Sequence, residues 1–231
     1  MTTNILLVDD HPIVQEAVVG LLQATGSFSK ISTAISLAAA QRILQQDADY
    51  ALILLDLELQ DSAGTKAMTI LRGLYSQIPM LIFSATATTE TIVEAFKGGA
   101  SGFVSKSTPA SALLEAIKVV LGGGIYLPVE TRQRLGYDPR VAERSDEASL
   151  TQTMQELLTQ FGLSQKQLAV FQYLLAGCTN KVIGERLFMA EGTVKTHLNA
   201  VYRKLKVKSR SQAILKARDL QLYSPPVADR N

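Results

Sequence analysis

Cysteine, basic residues at the amino terminus and long apolar runs are scarce in this chain. Cys178 is the only cysteine among 231 residues, so no intrachain disulfide can form. The first residues, Met1 to Asn4, lack the basic side chains that open a secretory signal. Apolar runs such as Ala51 to Leu55 are interrupted by charge well before the ~18 residues that a membrane-spanning helix requires. We therefore expect a cytoplasmic protein without a membrane span.

Charge is unevenly distributed along the chain, although the net charge is only +2. Residues 1–125 hold 7 Lys/Arg against 11 Asp/Glu, and residues 126–160 hold 4 against 6. Residues 161–231 are basic, with 12 Lys/Arg against 4 Asp/Glu. A basic terminal domain is typical of proteins that bind a polyanion, although a solvated basic surface explains the charge alone equally well.

Short apolar runs alternate with helical patterns over residues 1–125. The predicted strands are Ile5 to Val8, Ile31 to Ala34, Ala51 to Leu55, Met80 to Phe83 and Gly102 to Val104. The predicted helices are Pro12 to Leu22, 37–46, 64–75, 88–98 and 109–121. This alternation predicts an α/β domain in which helices cover both faces of a five-stranded parallel sheet, with ligands bound at the carboxyl edge of the strands.

Polar residues stand where four of these strands end, namely Asp9, Asp10, Asp56, Ser84 and Lys106. Taken singly, each is most simply a turn, capping or solvated residue. Taken together, three carboxylates at one edge repel one another unless a hard cation such as Mg²⁺ neutralises them. A carboxylate beside such an ion can attack a phosphoryl group, while Lys106 and Ser84 hold the phosphoryl oxygens. Asp56 is the best candidate nucleophile.

The segments that carry these residues resemble the receiver domain of two-component response regulators, through Ile5 to Pro12, Leu54 to Leu57, Phe83 to Ala85 and Gly98 to Lys106. The resemblance implies a flavodoxin-like, doubly wound fold and phosphorylation of Asp56 by a cognate histidine kinase. It implies Mg²⁺ as cofactor, with the ligands Asp10, Asp56, the backbone carbonyl of Glu58 and, through water, Asp9. Lys106 would pair with the phosphate, and Ser84 and Phe103 match the positions that switch conformation. Phe103 is equally compatible with a plain core role, and His11 receives no chemical role.

The composition of residues 126–160 predicts a linker. We expect it to be mobile over 136–149, and a short helical pattern runs from Leu150 to Phe161. Four further helices are predicted at Ser164 to Ala176, Asn180 to Leu187, Glu191 to Leu205 and Ser209 to Leu222. The second and third are joined by about three residues, the spacing of a helix-turn-helix whose second helix enters the DNA major groove. By itself, such a basic helix is more often a solvated or protein-binding surface.

This small all-α domain resembles the LuxR-type helix-turn-helix, through Leu163-Ser164, Gly177, Asn180-Lys181, Ile183, Arg186-Leu187, Gly192 to Leu198, Lys204-Leu205 and Ser209-Arg210. The resemblance implies that Lys195, Thr196 and Asn199 face bases. It implies phosphate contacts by Lys181, Thr193 and Arg210, with the last helix serving dimerisation. His197 is expected to be a packing residue. The chain departs from the family pattern at Ala190, Gly184 and Gln167, where a Ser cap, an Ala and a Glu are usual.

The domain organisation expected from both resemblances is a receiver at 1–125, a linker at 126–160, a DNA-binding domain at 161–224 and a tail at 225–231. The expected function is a phosphorylation-dependent transcriptional regulator, a homodimer on double-stranded DNA and not an enzyme. One alternative is a phosphatase that uses Asp56 as a turnover nucleophile, but position 58 holds Glu where that chemistry needs a second Asp. Another alternative is a receiver whose basic tail grips a protein instead of DNA.

Overall fold

The computed structural model of this chain describes residues 3–128, residue 131 and residues 160–220. The predicted mobile linker over 136–149, most of the helical pattern from Leu150 to Phe161 and the tail over 225–231 lie outside the described residues. Within the described ranges, no helix combines the length and apolarity needed to cross a membrane.

The amino-terminal half is built around a five-stranded parallel sheet. Its strands are β1 (Asn4–Val8), β2 (Lys30–Ala34), β3 (Leu52–Leu55), β6 (Met80–Ser84) and β7 (Gly102–Ser105), which lie in the order β2-β1-β3-β6-β7. The helices are α1 (Pro12–Ala24), α2 (Leu37–Gln46), α3 (Lys66–Leu74), α4 (Thr89–Gly98) and α5 (Ala110–Leu121). The predicted α/β fold class is therefore confirmed.

Alternate residues of the central strands enter two different apolar cores. Leu6 and Val8 of β1 belong to one core, whereas Ile5 and Leu7 belong to the other, because successive side chains of a strand point to opposite faces of the sheet. All of these side chains are fully buried. Helices therefore cover both faces, which explains why the strands read as continuous apolar runs in the sequence.

A small hairpin, which the sequence did not predict, follows β3. It consists of β4 (Glu58–Leu59) and β5 (Ser62–Ala63), which pair in antiparallel fashion. Asp61 lies in the turn between them, and its carboxylate accepts hydrogen bonds from the backbone N–H groups of Leu37 and Ala38, at 2.9 and 3.0 Å. The hairpin thus caps α2, because the first N–H groups of a helix have no partner inside the helix.

The carboxy-terminal half is a four-helix domain with helices α6 (Gln165–Leu175), α7 (Asn180–Leu187), α8 (Glu191–Leu205) and α9 (Arg210–Asp219). The turn between α7 and α8 passes through Phe188 in a left-handed conformation, with φ of 53°. The predicted apolar stripe of α8 is buried, and it consists of Val194, Leu198, Val201 and Leu205. This stripe packs α8 against α6, α7 and α9.

The two halves of the chain are in direct contact. The backbone N–H of Asn180, at the start of α7, donates to the carbonyl of Gly122 at 2.9 Å. On the other side of the interface, Nε2 of Gln212 in α9 donates to the carbonyl of Lys97 in α4 at 3.4 Å. Buried apolar side chains of both halves form one continuous cluster. We call this the closed arrangement of the two domains.

Candidate functional site

Three aspartates meet at the carboxyl edge of the sheet, as the strand pattern predicts. Asp9 and Asp10 follow β1, and Asp56 follows the neighbouring strand β3. Asp9 and Asp56 are almost completely buried. One ligand atom from each of these residues and from His11 lies within 4.8 Å of the others. This acidic pocket therefore concentrates negative charge at a point where water is largely excluded.

Lys106 reaches into the acidic pocket from the end of β7. Its Nζ lies 2.6 Å from Oδ2 of Asp56 and 2.8 Å from Oδ2 of Asp9. Burial alone would lower the pKa of Lys106, but the hydrogen bonds with Asp56 and Asp9 outweigh it and raise the pKa above its ordinary value. The ammonium group is therefore fully charged at neutral pH and ties β7 to β1 and β3.

The donor set of the acidic pocket fits a hard divalent cation. Three carboxylates face a single permanent cation, Lys106, so their charge is only partly balanced. Lys106 contacts Oδ2 of Asp9, and the backbone N–H of His11 donates to Oδ1 of Asp9. Oδ1 of Asp10 lies 2.8 Å from Nδ1 of His11, and no other group among the described residues donates a hydrogen bond to it. Clustered carboxylate oxygens are the ligands that Mg²⁺ prefers, and half-buried Asp10 and exposed His11 lie at the rim of the pocket, where water can reach. The residues present therefore fit this ion.

Ser84 and Phe103 lie in the buried layer beside the acidic pocket. Both side chains are at most 1% exposed. The hydroxyl oxygen of Ser84 accepts a hydrogen bond from the backbone N–H of Thr86, at 3.3 Å. The Thr86 hydroxyl in turn donates to the carboxylate of Glu58, which links the end of β6 to the loop after Asp56.

The sequence did not single out Thr86 or Gln15 as parts of this site, and it gave His11 no chemical role. Nε2 of Gln15 donates to the backbone carbonyls of Asp9 and Ala34, which holds α1 against the ends of β1 and β2. The only signal for Gln15 was its place one helical turn after His11. These contacts depend on where the helix docks, which periodicity does not reveal.

The polar residues expected to read bases lie on one side of α8. Lys195 and Thr196 are exposed and Asn199 is half-buried. Nζ of Lys195 pairs with Oε1 of Glu191 at 3.3 Å, and the Thr196 hydroxyl donates to the carbonyl of Gly192 at 3.0 Å. Among the residues expected to contact phosphates, Lys181 and Thr193 are also exposed.

Arg210 is not positioned to contact a DNA phosphate in this arrangement. Its side chain is buried, and Nη2 donates to the carbonyls of Leu174 and Cys178 at 3.0 and 2.7 Å. In this arrangement the guanidinium pins α9 to the end of α6. It therefore presents no exposed charge to a DNA backbone in the closed arrangement.

The side of α8 that is expected to read bases faces the receiver half across a cavity of about 500 Å³, which we call the interdomain cavity. Lys195, Asn199 and Tyr202 line it from α8, and Tyr50, Gln77 and Pro79 are among the residues that line it from the opposite wall. To read bases, α8 would have to lie inside the major groove of a DNA double helix, and a cavity of this size has no room for the duplex. The closed arrangement therefore places Lys195 and Asn199 opposite the receiver half, whereas Thr196 stays exposed and does not line the cavity.

Two protein families match the two halves of this chain. Residues 5–118 match the Response regulator receiver domain, and residues 162–217 match the family described as Bacterial regulatory proteins, luxR family. A glycerol metabolism activator of Pseudomonas putida is 35% identical and covers 94% of this chain and 96% of its own length. The chain belongs to the two-component response regulators with a LuxR-type DNA-binding domain.

Further relatives of this response regulator share its two-domain organisation. The DNA-binding transcriptional activator DevR/DosR of Mycobacterium tuberculosis is 32% identical, covering 96% of this chain and 97% of its own length. The Salmonella typhimurium RcsB response regulator superposes with a TM-score of 0.53 at 17% identity, covering 96% of this chain and all of the other. At that identity the superposition shows the shared fold. This response regulator is thus a DNA-binding regulator of transcription.

Proposed function

We propose that this response regulator is switched by transfer of a phosphoryl group from a histidine kinase to Asp56. The proposal is carried by one observation, the contact of buried Asp56 with Lys106 at 2.6 Å inside a cluster of carboxylates. An oxygen of Asp56 forms a bond to phosphorus while the bond from phosphorus to the imidazole nitrogen of the kinase breaks. The Lys106 ammonium then pairs with a phosphoryl oxygen instead of the free carboxylate.

Mg²⁺ is the proposed cofactor of this transfer. Asp10, Asp56 and the backbone carbonyl of Glu58 would hold it, with Asp9 acting through water. When bound, the ion supplies positive charge that offsets the repulsion between the carboxylates and the incoming phosphoryl oxygens. The chain itself contributes the fixed positions of these oxygens, because β1 and β3 are neighbours in register.

Ser84 and Phe103 are the proposed relay from Asp56 to the rest of the molecule. The hydroxyl of Ser84 would leave the N–H of Thr86 and turn toward the phosphoryl group, with Phe103 repacking behind it. Ser84 ends β6, the strand that precedes α4, and Phe103 lies in β7, which contacts α4. Helix α4 in turn contacts α9 at the domain interface. Phosphorylation would therefore favour an arrangement in which α4 and α9 separate.

DNA recognition is assigned to α8, with Lys195, Thr196 and Asn199 at base edges and Lys181 and Thr193 at phosphates. We exclude Arg210 from the proposed phosphate contacts, because its side chain is buried under α6. Opening of the closed arrangement uncovers α8 and the start of α9. Two copies then pair through α9 and read an inverted repeat, since a twofold dimer presents two recognition helices to two half-sites.

The proposed domain bounds are those expected from the sequence, namely the receiver at 1–125, the linker at 126–160, the DNA-binding domain at 161–224 and the tail at 225–231. The proposed partners are a cognate histidine kinase, double-stranded DNA and a second copy of this chain. A cytoplasmic location is proposed, because that is where a bacterial chromosome is read.

The test measures DNA affinity of the full chain with and without acetyl phosphate and Mg²⁺, over a range of salt. We expect tighter binding on phosphorylation and a steep loss of affinity with salt, since phosphate contacts release counterions. Asp56→Asn should bind DNA weakly and ignore the phosphodonor, whereas the exposed control Asp49→Asn should respond as the wild type does. Binding that ignores the phosphodonor in the wild type would contradict the switch and leave DNA binding intact.

A further inference from the structure

The interdomain cavity is lined by cations without matching anions. Arg72 lies on the receiver side, and Lys195, Lys208 and Arg210 lie on the side of the DNA-binding domain. No Asp or Glu is among the described residues that line it. Lys195 pairs with Glu191, so three of these four charges have no carboxylate partner among the described parts of the chain.

Arg72 is a buried cation with an unused donor. Its Nη1 donates to the carbonyls of Ser76 and Ile78, and its Nη2 donates to the carbonyl of Gly99 at 3.0 Å. Its Nε is buried and has no hydrogen-bond partner. Burial lowers the pKa of Arg72 to about 10, which still leaves the guanidinium charged at neutral pH.

Arg210 is a second buried cation with unused donors. Nε and Nη1 are both buried without a partner, although Nη2 is engaged by the carbonyls at the end of α6. Two buried guanidinium groups from different domains therefore line one cavity with three unsatisfied N–H donor atoms. Such donors are costly to leave unpaired, because a desolvated donor of a charged group loses its bonds to water.

Tyr202, which lines the same cavity as the two arginines, does not supply a negative charge. Burial raises the pKa of Tyr202 to about 12, although Arg210 and Arg72 act to lower it. The phenol therefore remains neutral at physiological pH. Among the described residues that line this cavity, no side chain therefore carries a negative charge at neutral pH.

We propose that the interdomain cavity binds a small oxyanion carrying two or more negative charges, and that this anion holds the closed arrangement together. The cavity falls within the size of about 300–1,000 Å³ that is usual for small-molecule sites. Guanidinium groups suit phosphate and carboxylate oxygens, because their planar donors match these groups. A phosphorylated metabolite and a small polycarboxylate share this chemistry.

The anion would act against DNA binding. It gains its full set of contacts only when Arg72 of one domain and Arg210 of the other are together, so it binds the closed arrangement better than an open one. A ligand shifts such an equilibrium by its difference in affinity for the two states. This last step rests on the proposed DNA-reading role of α8, whereas binding of the anion itself does not.

Calorimetric titration of the full chain with pyrophosphate or with citrate tests the site, in buffer that was freed of divalent metal ions beforehand, contains no chelator and has constant ionic strength. We expect one saturable site for at least one of the two, and the better ligand identifies the source as a phosphoanion or a polycarboxylate. Lys208→Gln should weaken binding about fivefold or more through loss of one charged partner. The exposed control Lys216→Gln, which removes the same charge outside the cavity, should change it less than twofold.

A second variant keeps every cation and disturbs only the closed arrangement. In Gly123→Ala the new Cβ would lie 2.2 Å from Nδ2 of Asn180, so closure is hindered. This variant should lose most of the anion affinity. Small-angle scattering should show that the anion makes the wild type more compact and leaves the Gly123→Ala variant unchanged. Equal binding by all variants, or no binding beyond that of chloride, would overturn the proposal. Failure of DNA binding to respond to phosphorylation would leave this result unaffected.

Discussion

Gly184 shows how a residue that departs from its family pattern can be required by its surroundings. The usual Ala at this position has the higher helix propensity, by about 1 kcal/mol. In this chain, however, the turn after α7 folds back, and the N–H of Met189 donates to the carbonyl of Gly184 at 2.8 Å. A Cβ on Gly184 would lie 2.6 Å from the carbonyl oxygen of Met189. The turn and the glycine therefore depend on each other.

Gly184→Ala should destabilise the DNA-binding domain by about 1 kcal/mol or more, because the cost of overpacking exceeds the gain in helix propensity. Urea unfolding followed by circular dichroism measures this difference. Gly192→Ala is the matched control, since a Cβ there meets nothing within 4 Å, and it should be neutral or stabilising. Equal stabilisation by both substitutions would show that the turn yields without cost.

The other departures from the family pattern have different outcomes. Gln167 completes a capping box with Ser164, so the amide replaces the usual carboxylate without loss of the motif. It also accepts a hydrogen bond from Nζ of Lys204 at 2.8 Å, which ties α6 to α8. Ala190 leaves the start of α8 without a side-chain cap, because a methyl group cannot accept a hydrogen bond.

At the scale of elements, the hairpin β4–β5 supplies what α2 lacks in its own first turn. Ser36 caps α2 through the N–H of Ala39, and Asp61 of the hairpin accepts from the two preceding N–H groups. Desolvation raises the pKa of Asp61, but the hydrogen bonds from Ala38 and Leu37 outweigh it and lower the pKa below its ordinary value. The ionised carboxylate therefore stabilises the fold.

Asp61→Ala should lower the free energy of unfolding by about 0.5–2 kcal/mol at neutral pH, as expected for loss of a helix cap. The folded-state pKa is lowered, so this contribution is complete above the ordinary pKa of an aspartate and disappears as pH falls through the folded value. The gap between wild type and variant should therefore close in acid. Asp49→Ala is the control, because its exposed carboxylate has no cap to lose. A gap that persists in acid would contradict the ionic cap.

At the scale of the whole molecule, glycines permit the contact between the two domains. Gly123 has φ of +77°, and its missing Cβ leaves room for the side chain of Asn180. Gly99 has φ of +106°, and a Cβ there would lie 3.0 Å from the hydroxyl oxygen of Ser209. Both glycines end receiver helices or their caps, so the same residues terminate a helix and admit the neighbouring domain.

Gly123→Ala should increase DNA affinity in the absence of phosphodonor, by several-fold, because it raises the population of open molecules. Fluorescence anisotropy with labelled DNA measures the affinity. Gly26→Ala is the control, since Gly26 also has positive φ, +62°, but its Cβ would meet nothing within 4 Å. It carries a similar backbone strain without touching the interface, so its DNA affinity should match the wild type. Equal effects of both substitutions would assign the change to strain instead of opening.

The sequence by itself determined the fold class and the chemistry of the acidic pocket. A parallel sheet follows from the alternation of apolar runs and helices, and parallel strands deliver Asp9, Asp56 and Lys106 to one edge of it. The helices of the DNA-binding domain were equally visible, because the apolar stripe of α8 repeats at helical spacing. These features depend on local periodicity and chain order, which a single sequence contains.

Only the tertiary structure decided which polar groups meet across long stretches of chain. Arg210 has the positive charge expected of a phosphate contact, yet the docking of α9 on α6 buries its side chain. The hairpin cap of Asp61 and the bond between Asn180 and Gly122 likewise join residues that are distant in sequence. The interdomain cavity exists because two separately folded surfaces are held at a particular distance. No local pattern encodes that distance, since it is set by the packing of whole domains.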